Sequence, residues 1–346
     1  MPKPFTPLLF LPGDPDSVKS GARSQWPART ESACDCHRWR GDTMTVVAET
    51  ESEINRSGNR PSARRDAAYL LELIGETRPY VSVEHIVADD ERVFGICRRQ
   101  QQRYRETNTL STSETARIMA VQGCLAAAHR NPVRRKHYYL AVKGEYRWTP
   151  VEDLLSHSEE FLLAAWTEGE ISARQMVTAV VECRTCHGQL YSTLRCRYLV
   201  LEEAAFFASM GGRSDTPLPQ GNPYRDPRRR LEGVRYSAGE ARTEARLGRC
   251  TAADFAGHFD GCPLCPVSIL GDNMVGLLEA FPDISDFYVQ RLGFWCKGAV
   301  GVGESPRLSC LREGAMDFAL VSEDAAGNTQ FGMNVRLAVS TTGGEK

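Results

Sequence analysis

The sequence lacks the features that mark membrane, secreted and nucleic-acid-binding proteins. No apolar run approaches the roughly 20 residues that a membrane-spanning helix needs. The apolar stretch from Leu8 to Leu11 is too short for the hydrophobic part of a secretion signal. The formal net charge is only −2, so there is no excess of positive charge for binding nucleic acid. We therefore expect a cytoplasmic protein with neither a membrane nor a nucleic acid as partner.

Cysteine, in contrast, is abundant, with 12 residues in a chain of 346. Their spread over a long chain without an export signal favours free thiols over a disulfide scaffold. Cys183 to His187 has the spacing of a c-type haem attachment site, and Cys262 with Cys265 has a spacing suited to zinc. Because the first motif lies in a strand-like run from Gln175 to Leu201, we expect thiols that alternate along a strand, without haem or metal.

The composition divides the chain into four segments. Residues 1–60 are rich in Pro, Ser, Arg and Gly without any period, which predicts a disordered N-terminal extension. Met44 is an alternative start, so we expect residues 1–43 to carry no function. Two folded domains are predicted at 61–208 and 231–342. The linker between them, 209–230, contains Gly-Gly, several prolines and the triplet Arg228 to Arg230.

In the first folded domain, the sequence pattern predicts two strands, a helix and three further strands. Before the helix, a strand is expected at Tyr80 to Val87, because its apolar residues alternate. A turn at Asp89 to Glu91 then predicts its partner strand at Val93 to Arg98. Ser111 and Glu114 have the spacing of a capping box, ahead of an apolar helix from Ile118 to Ala128. The strands after the helix are expected at His137 to Trp148, Gln175 to Val181 and Gln189 to Leu201.

The second folded domain repeats this order, which predicts an internal duplication. Its strands are expected at Val234 to Tyr236, Ala241 to Leu247, Phe294 to Val302, Met316 to Ser322 and Thr329 to Ser340. Asp324 to Asn328 predicts a hairpin turn between the last two strands.

The most informative segment begins at His258 and reaches Asp272. Pro263 and Pro266 restrict the loop that carries His258, since proline fixes φ. An apolar helix predicted from Ser268 to Ala280 places Asp272 among hydrophobic neighbours, where burial raises the pKa of a carboxyl group. Because the ordinary pKa of histidine lies near neutrality, the segment predicts a base and an acid in one rigid arrangement.

This segment resembles the active-site signature of the hotdog-fold β-hydroxyacyl-thioester dehydratases. The matching residues are His258, Phe259, Gly261, Pro263, Pro266 and Asp272. An aspartate as the acid is closer to the dehydratase-isomerase branch of that family. The family has glycine directly after the second proline, whereas this chain has Val267, which removes a position where the backbone N–H can approach a thioester carbonyl.

The resemblance implies an α+β architecture of two tandem hotdog folds, each an antiparallel sheet around a central helix, joined edge to edge. It implies dehydration, with or without isomerisation, of a β-hydroxyacyl thioester in fatty-acid or polyketide-type biosynthesis. The substrate would arrive on the phosphopantetheine arm of acyl carrier protein or coenzyme A. No metal and no redox cofactor would be needed.

The resemblance also assigns roles to residues. His258 would be the base and Asp272 the acid, with Glu114 as the carboxylate of the first domain that faces His258. An alignment anchored on the start of the helix instead places Ile118 or Met119 opposite His258. The residues expected to contact substrate are Gly261, Pro266, Val267, Ser268 and Gln122.

Two other functions remain open at this point. Hotdog folds also host thioester hydrolysis, for which Glu114 or Gln122 would position water. A non-catalytic or carrier-binding module is favoured by Val267 and by the lack of a histidine between Tyr104 and Ser113. Arg228 to Arg230 is expected either to form a solvated basic loop or to meet an acidic carrier protein. A homodimer is an open alternative.

Overall fold

The computed structural model describes residues 65–102, 104–151, 160–172, 175–214, 221–228, 231–259 and 261–339. The predicted N-terminal extension lies outside these residues. Within them, thirteen strands form one antiparallel sheet. The strands of the first half are β1 Arg65–Asp66, β2 Glu84–Ala88, β3 Val93–Arg98, β4 His137–Trp148, β5 Glu160–Thr167, β6 Met176–Thr185 and β7 Leu190–Glu202. The strands of the second half are β8 Leu231–Ser237, β9 Arg242–Leu247, β10 Phe287–Cys296, β11 Arg307–Arg312, β12 Asp317–Glu323 and β13 Thr329–Val339.

The described helices are few and short relative to the sheet. The α-helices are α1 Thr112–Arg130, α2 Glu203–Ser209 and α3 Val267–Gly276. Three 3₁₀ segments lie at Ala68–Leu73, Ala252–Phe255 and Leu277–Ala280. None of the described helices is both long and apolar enough to span a membrane.

The order of strands in the sheet reveals two copies of one arrangement. It runs β1-β2-β3-β5-β6-β7-β4-β10-β13-β12-β11-β9-β8. The first half supplies three strands, a central helix and four more strands, and the second supplies two strands, a central helix and four more. Apart from β1, the two halves have the same spatial sequence of strands. Helix α1 packs on β3, β5, β6 and β7, and α3 packs on β11, β12 and β13. The chain thus folds as two tandem hotdogs, as the sequence predicted.

Both the sheet and the central helices join the two halves. Strands β4 and β10 pair in the middle of the sheet, where the ring of Phe294 occupies the space that a side chain at Gly144 would fill. Helices α1 and α3 also contact each other. A Cβ added at Gly271 of α3 would lie 3.9 Å from Oγ of Ser113 on α1, which shows how closely the helices approach. We call this boundary between the halves the seam.

Several predicted elements differ from the structure. Four strands follow each central helix instead of three, because β5 and β11 were not predicted. The strand expected from Phe294 to Val302 is β10, which ends at Cys296. Cys186 lies in the turn between β6 and β7, so the thiols from Cys183 onward do not continue along one strand.

Other predictions are confirmed or stay open. The hairpin turn forms, with the N–H of Asn328 donating to the Asp324 carboxylate at 2.8 Å and Gly327 at a φ of +84°. The domain boundaries at 208 and 231 stay a prediction. In the structure α2 ends at Ser209 and β8 begins at Leu231.

Candidate functional site

Two clusters of polar and aromatic side chains lie at the seam, each combining a loop of one half with the central helix of the other. The first, which we call the Asp272 centre, consists of Asp272, Gln101, Glu106 and Arg228. The second, the His258 cluster, consists of His258, Tyr80, Arg117, Tyr224 and Gln100.

Asp272 occupies the middle of α3 and is fully buried, at 0% exposure. Its Oδ1 accepts a hydrogen bond from Nε2 of Gln101 at 2.8 Å, and its Oδ2 accepts one from Nε of Arg228 at 2.9 Å. Gln101 follows β3, so this contact crosses the seam. Burial raises the pKa of Asp272, while the Arg228 charge and the hydrogen bonds oppose the rise. The predicted acid is therefore present and buried, but within an ion pair.

Arg228 corrects its part of the expected solvated basic loop, whereas Arg229 and Arg230 lie outside the described residues. Its side chain is only 15% exposed, and its Nη1 donates to Glu279 at 2.7 Å in addition to the Asp272 contact. Its guanidinium lies 4.1 Å from the centroid of the Tyr104 ring. Burial alone would lower the pKa of Arg228, but the two carboxylates raise it. Nη2 is buried and has no hydrogen-bond partner among the described residues.

Gln101 is held at both ends and along its backbone. Ser111 Oγ donates to its Oε1 at 2.9 Å, which directs its amide nitrogen toward Asp272. The backbone N–H groups of Gln100 and Gln101 both donate to Oε1 of Glu114, at 2.6 and 3.0 Å. Burial raises the pKa of Glu114.

The predicted capping box is half realised. Ser111 caps α1 by accepting a hydrogen bond from the N–H of Glu114 at 3.1 Å. The Glu114 carboxylate, however, binds the backbone after β3. Glu114 therefore does not take the predicted place as the carboxylate contacting His258.

Glu106 is a second buried carboxylate of the Asp272 centre. Its Oε1 accepts from the N–H and the hydroxyl of Thr112 at 2.7 and 2.6 Å, at the start of α1. Its Oε2 has no hydrogen-bond partner among the described residues. Burial raises the pKa of Glu106 to about 7, and the charge of Asp272 contributes to the rise. Sequence analysis missed this residue, because a single glutamate in a loop matches no motif.

His258 lies on the loop predicted for it but has no acidic neighbour among the described residues. Its Nδ1 contacts the carbonyl oxygen of Leu264 at 3.0 Å, within the same loop. Its ring lies 4.6 Å from that of Tyr80 and 4.1 Å from that of Phe259. Burial lowers its pKa to about 4. The predicted pairing of this imidazole with a carboxyl group is therefore wrong for the part of the chain that is described.

The helix position that faces the His258 cluster carries a positive charge. Arg117 is buried, and its Nη2 donates to Oε1 of Gln100 at 3.1 Å. Its guanidinium lies 4.8 Å from the centroid of the Tyr224 ring. The expected apolar alternatives, Ile118 and Met119, are the two residues that follow it and belong to the core.

The residues predicted to bind substrate are dispersed. Gln122 is fully buried, and its Nε2 donates to the carbonyl of Val93 in β3 at 2.8 Å, so it faces the sheet and not the seam. Pro266 caps α3, whose first residues are Val267 and Ser268. Gly261 adopts a φ of +72°, a conformation that favours glycine, and its carbonyl accepts from the N–H of Ser214 at 2.7 Å.

No family model and no curated protein matches the sequence. Solved structures are similar in fold. An acyl-ACP thioesterase from Bacteroides thetaiotaomicron VPI-5482 is 9% identical, covering 71% of this chain and 98% of its own, with a TM-score of 0.43. The acyl-CoA thioesterase II TesB2 from Mycobacterium marinum is 10% identical over 77% of this chain and 98% of its own, with a TM-score of 0.42. A conserved hot-dog-fold protein from Alicyclobacillus acidocaldarius is 10% identical over 77% of this chain and all 100% of its own, with a TM-score of 0.45.

Dehydration, the reaction expected from the sequence, is contradicted. The first two similar structures are named as thioesterases. The geometry gives the physical reason, because the imidazole expected to act as base is tied to its own loop, and its low pKa makes it a weak base. The expected acid lies instead in a network with a glutamine and an arginine.

Proposed function

We propose that this protein is a hydrolase that cleaves acyl thioesters at the Asp272 centre. The observation that carries the proposal is the buried carboxylate of Asp272, held across the seam by Gln101 and Arg228 at 2.8 and 2.9 Å. Thioester hydrolysis needs a group that orients water and a donor that stabilises negative charge on the carbonyl oxygen. The centre contains residues of both kinds.

Each residue has a definite part in this proposal. Both carboxylate oxygens of Asp272 keep a further lone pair with which to accept a hydrogen bond from water. The unpartnered Nη2 of Arg228 is a charged donor for the thioester carbonyl oxygen, where charge develops when water adds. Gln101 and Ser111 act as positioning residues, because they fix the orientation of the Asp272 carboxylate. The reaction consumes water and needs no redox cofactor.

The substrate class follows from the same reaction. Acyl groups linked to coenzyme A or to acyl carrier protein are the thioesters we propose as substrates, with the phosphopantetheine arm entering at the seam.

A non-catalytic role is the second candidate, and one observation favours it. Asp272 has 0% exposure, and both of its oxygens already accept hydrogen bonds from protein groups. A network of this kind also stabilises a seam without any chemistry. The two functions predict different results when thiol release from an acyl thioester is measured.

Gln101 and Gln100 offer a matched pair of variants for that assay, because Gln101 belongs to the Asp272 centre and Gln100 to the His258 cluster. Purified protein is incubated with acyl-coenzyme A and acyl carrier protein thioesters, and the released thiol is measured. We expect thiol release by the wild type, about 100-fold slower release by Gln101→Ala because water is misplaced, and near wild-type release by Gln100→Ala. Enoyl absorbance from a β-hydroxyacyl thioester is followed in parallel. A folded wild type that releases no thiol would overturn the proposal and favour the non-catalytic role.

A further inference from the structure

We propose that Glu106 is the general base of the reaction and takes the proton from the attacking water. This inference rests on the proposed hydrolysis and assigns a residue that no motif identified. It depends on three features of Glu106: a fixed backbone, one free carboxylate oxygen, and its two charged neighbours in the Asp272 centre.

The loop that carries Glu106 is tied to the second half of the molecule. Glu106 forms a parallel bridge with Phe287 at the start of β10, and the N–H of Thr107 donates to the carbonyl of Phe287 at 2.8 Å. Two residues further on, Asn108 accepts from the N–H of Val289 at 3.0 Å. The carboxylate is therefore held at the seam by contacts on both sides, as a catalytic base must be.

The two oxygens of Glu106 differ in their contacts. Oε1 accepts both hydrogen bonds from Thr112, which fixes the plane of the carboxylate. Oε2 is buried and has no partner among the described residues. A buried acceptor without a partner is costly, and such positions are often filled by water or ligand. In this centre Oε2 is thus the free acceptor that complements Nη2 of Arg228, the free donor.

The charges around Glu106 suit a base that works near neutral pH. Asp272 on α3 and Arg228 act on it in opposite directions, the first raising its pKa and the second lowering it. Tyr146 on β4 and Tyr191 on β7 also interact with it, and burial raises the pKa of both phenols, which keeps them neutral. Burial is the largest influence and brings the pKa of Glu106 to about 7.

The chemistry balances without any further reactant. Glu106 Oε2 accepts a proton from water while the water oxygen bonds to the thioester carbonyl carbon. The carbonyl π electrons move to its oxygen, which Arg228 Nη2 stabilises. When the tetrahedral intermediate collapses, the carbon–sulfur bond breaks and the proton passes from Glu106 to the departing thiolate. The products are a carboxylic acid and a thiol, and Glu106 is regenerated.

Other carboxylates of the region are less suited to this role. Glu114 also has an Oε2 without a described partner, but the charges that act on it are those of Arg117 and Arg99, which lie outside the Asp272 centre. Glu279 accepts a hydrogen bond from Arg228. Asp272 differs from Glu106 because both of its oxygens already accept hydrogen bonds, from Gln101 and Arg228. Glu106 is the residue of the centre that combines a raised pKa near 7 with a free oxygen.

The test compares Glu106→Gln with Glu76→Gln. Glu76 is a matched control, since it is also buried, its pKa is also raised by burial to about 7, and its Oε2 also lacks a described partner. We expect Glu106→Gln to lower kcat at least about 100-fold with little change in KM, because a general base contributes on that scale. The kcat of the wild type should fall as pH drops below about 7. Glu76→Gln should keep both the rate and this pH profile.

The outcomes separate the base from a merely structural residue. Glutamine preserves the acceptor for Thr112, so a structural role predicts an unchanged pH profile and a near-normal kcat in Glu106→Gln, which would overturn the inference. If that variant fails to fold, Glu106→Asp replaces it. A shorter carboxylate should keep the pH-dependent limb while lowering kcat, and an unchanged kcat would count against the role. A wild type without hydrolysis overturns the proposed function and this inference together, whereas an active wild type with an active Glu106→Gln overturns this inference alone.

Discussion

The two halves of the molecule share a fold but carry opposite charges at the same position of their central helices. Asp272 lies six residues after Pro266, the N-cap of α3, and Arg117 lies six residues after Ser111, the N-cap of α1. Both side chains are buried at the seam, and each contacts one of two adjacent glutamines. A repeated backbone thus does not imply repeated chemistry, because the charge at one position decides what each cluster can do.

The two clusters are nevertheless linked through one carboxylate. Glu114 holds the backbone N–H groups of both Gln100 and Gln101, and these glutamines reach Arg117 and Asp272, respectively. Because Gln100 and Gln101 are adjacent, a shift of their backbone moves the hydrogen-bond partners of Arg117 and Asp272 together. The difference between the halves therefore depends on side chains, while their geometry is shared.

The largest effect on stability should follow from removing the negative charge of the ion pair between Asp272 and Arg228. Asp272→Ala leaves the largely buried Arg228 without its main partner, and breaking a buried pair in this way costs about 3–5 kcal/mol of the free energy of unfolding. Urea denaturation measures the loss. The double variant Asp272→Ala with Arg228→Met should lose less than the sum of the single variants, because the residues are coupled. Additive losses would show that the pair is not an energetic unit.

Glu114→Gln should cause a smaller loss of the free energy of unfolding, and it should loosen both clusters. The substitution replaces a charged acceptor of two backbone hydrogen bonds, which corresponds to about 1–3 kcal/mol. Faster amide exchange at both Gln100 and Gln101 is the expected signature. Glu202→Gln is the control, because its ion pair with Arg135 is exposed at the surface and should contribute less than about 1 kcal/mol. Exchange that changes at only one glutamine would contradict the proposed link.

The free energy of unfolding should change with pH in opposite directions at Glu106 and at His258. Burial raises the pKa of Glu106 from 4.5 to about 7, so the folded state binds its proton more tightly and the free energy of unfolding falls as pH rises through that range. Burial lowers the pKa of His258 from 6.5 to about 4, so its contribution is present above 6.5 and is lost as pH falls toward 4. At about 1.4 kcal/mol per pKa unit, each contribution is at most on the order of 3 kcal/mol.

Variants isolate these two contributions. Relative to the wild type, Glu106→Gln should lose less stability as pH rises from 4.5 to 7. His258→Asn should lose less stability as pH falls from 6.5 to 4. Chemical denaturation across this pH range measures both differences, and differences of the same sign in the two variants would contradict the assignment.

The strands rich in β-branched and aromatic residues could be predicted from the sequence. The bounds of β3 and β4 agree with the predicted Val93 to Arg98 and His137 to Trp148, because residues such as Val, Ile, Phe, Tyr and Trp favour strands. Strand β5 was missed, since Phe161 to Ala165 is a continuous apolar run whose period does not separate strand from helix.

The candidate site could be predicted only in part. The motif located Asp272 on a buried helix, which the structure confirms. Its partners were not predictable, because pairings between residues far apart in sequence depend on the tertiary fold. Arg228 is the clearest example, since an arginine triplet beside prolines is typical of solvated loops, while its acidic partners lie 44 and 51 residues further along the chain.

The most direct test of the account compares Asp272→Asn with His258→Asn in one thiol-release assay. Both substitutions preserve approximate size and remove the ability to titrate, so folding is checked by circular dichroism and the rates are compared under saturating substrate. We expect Asp272→Asn to reduce kcat about 100-fold, because the water and the carbonyl donor lose their alignment. We expect His258→Asn to stay within a few-fold of the wild type. The reverse ranking, with His258→Asn inactive and Asp272→Asn active, would contradict the assignment of the chemistry to the Asp272 centre.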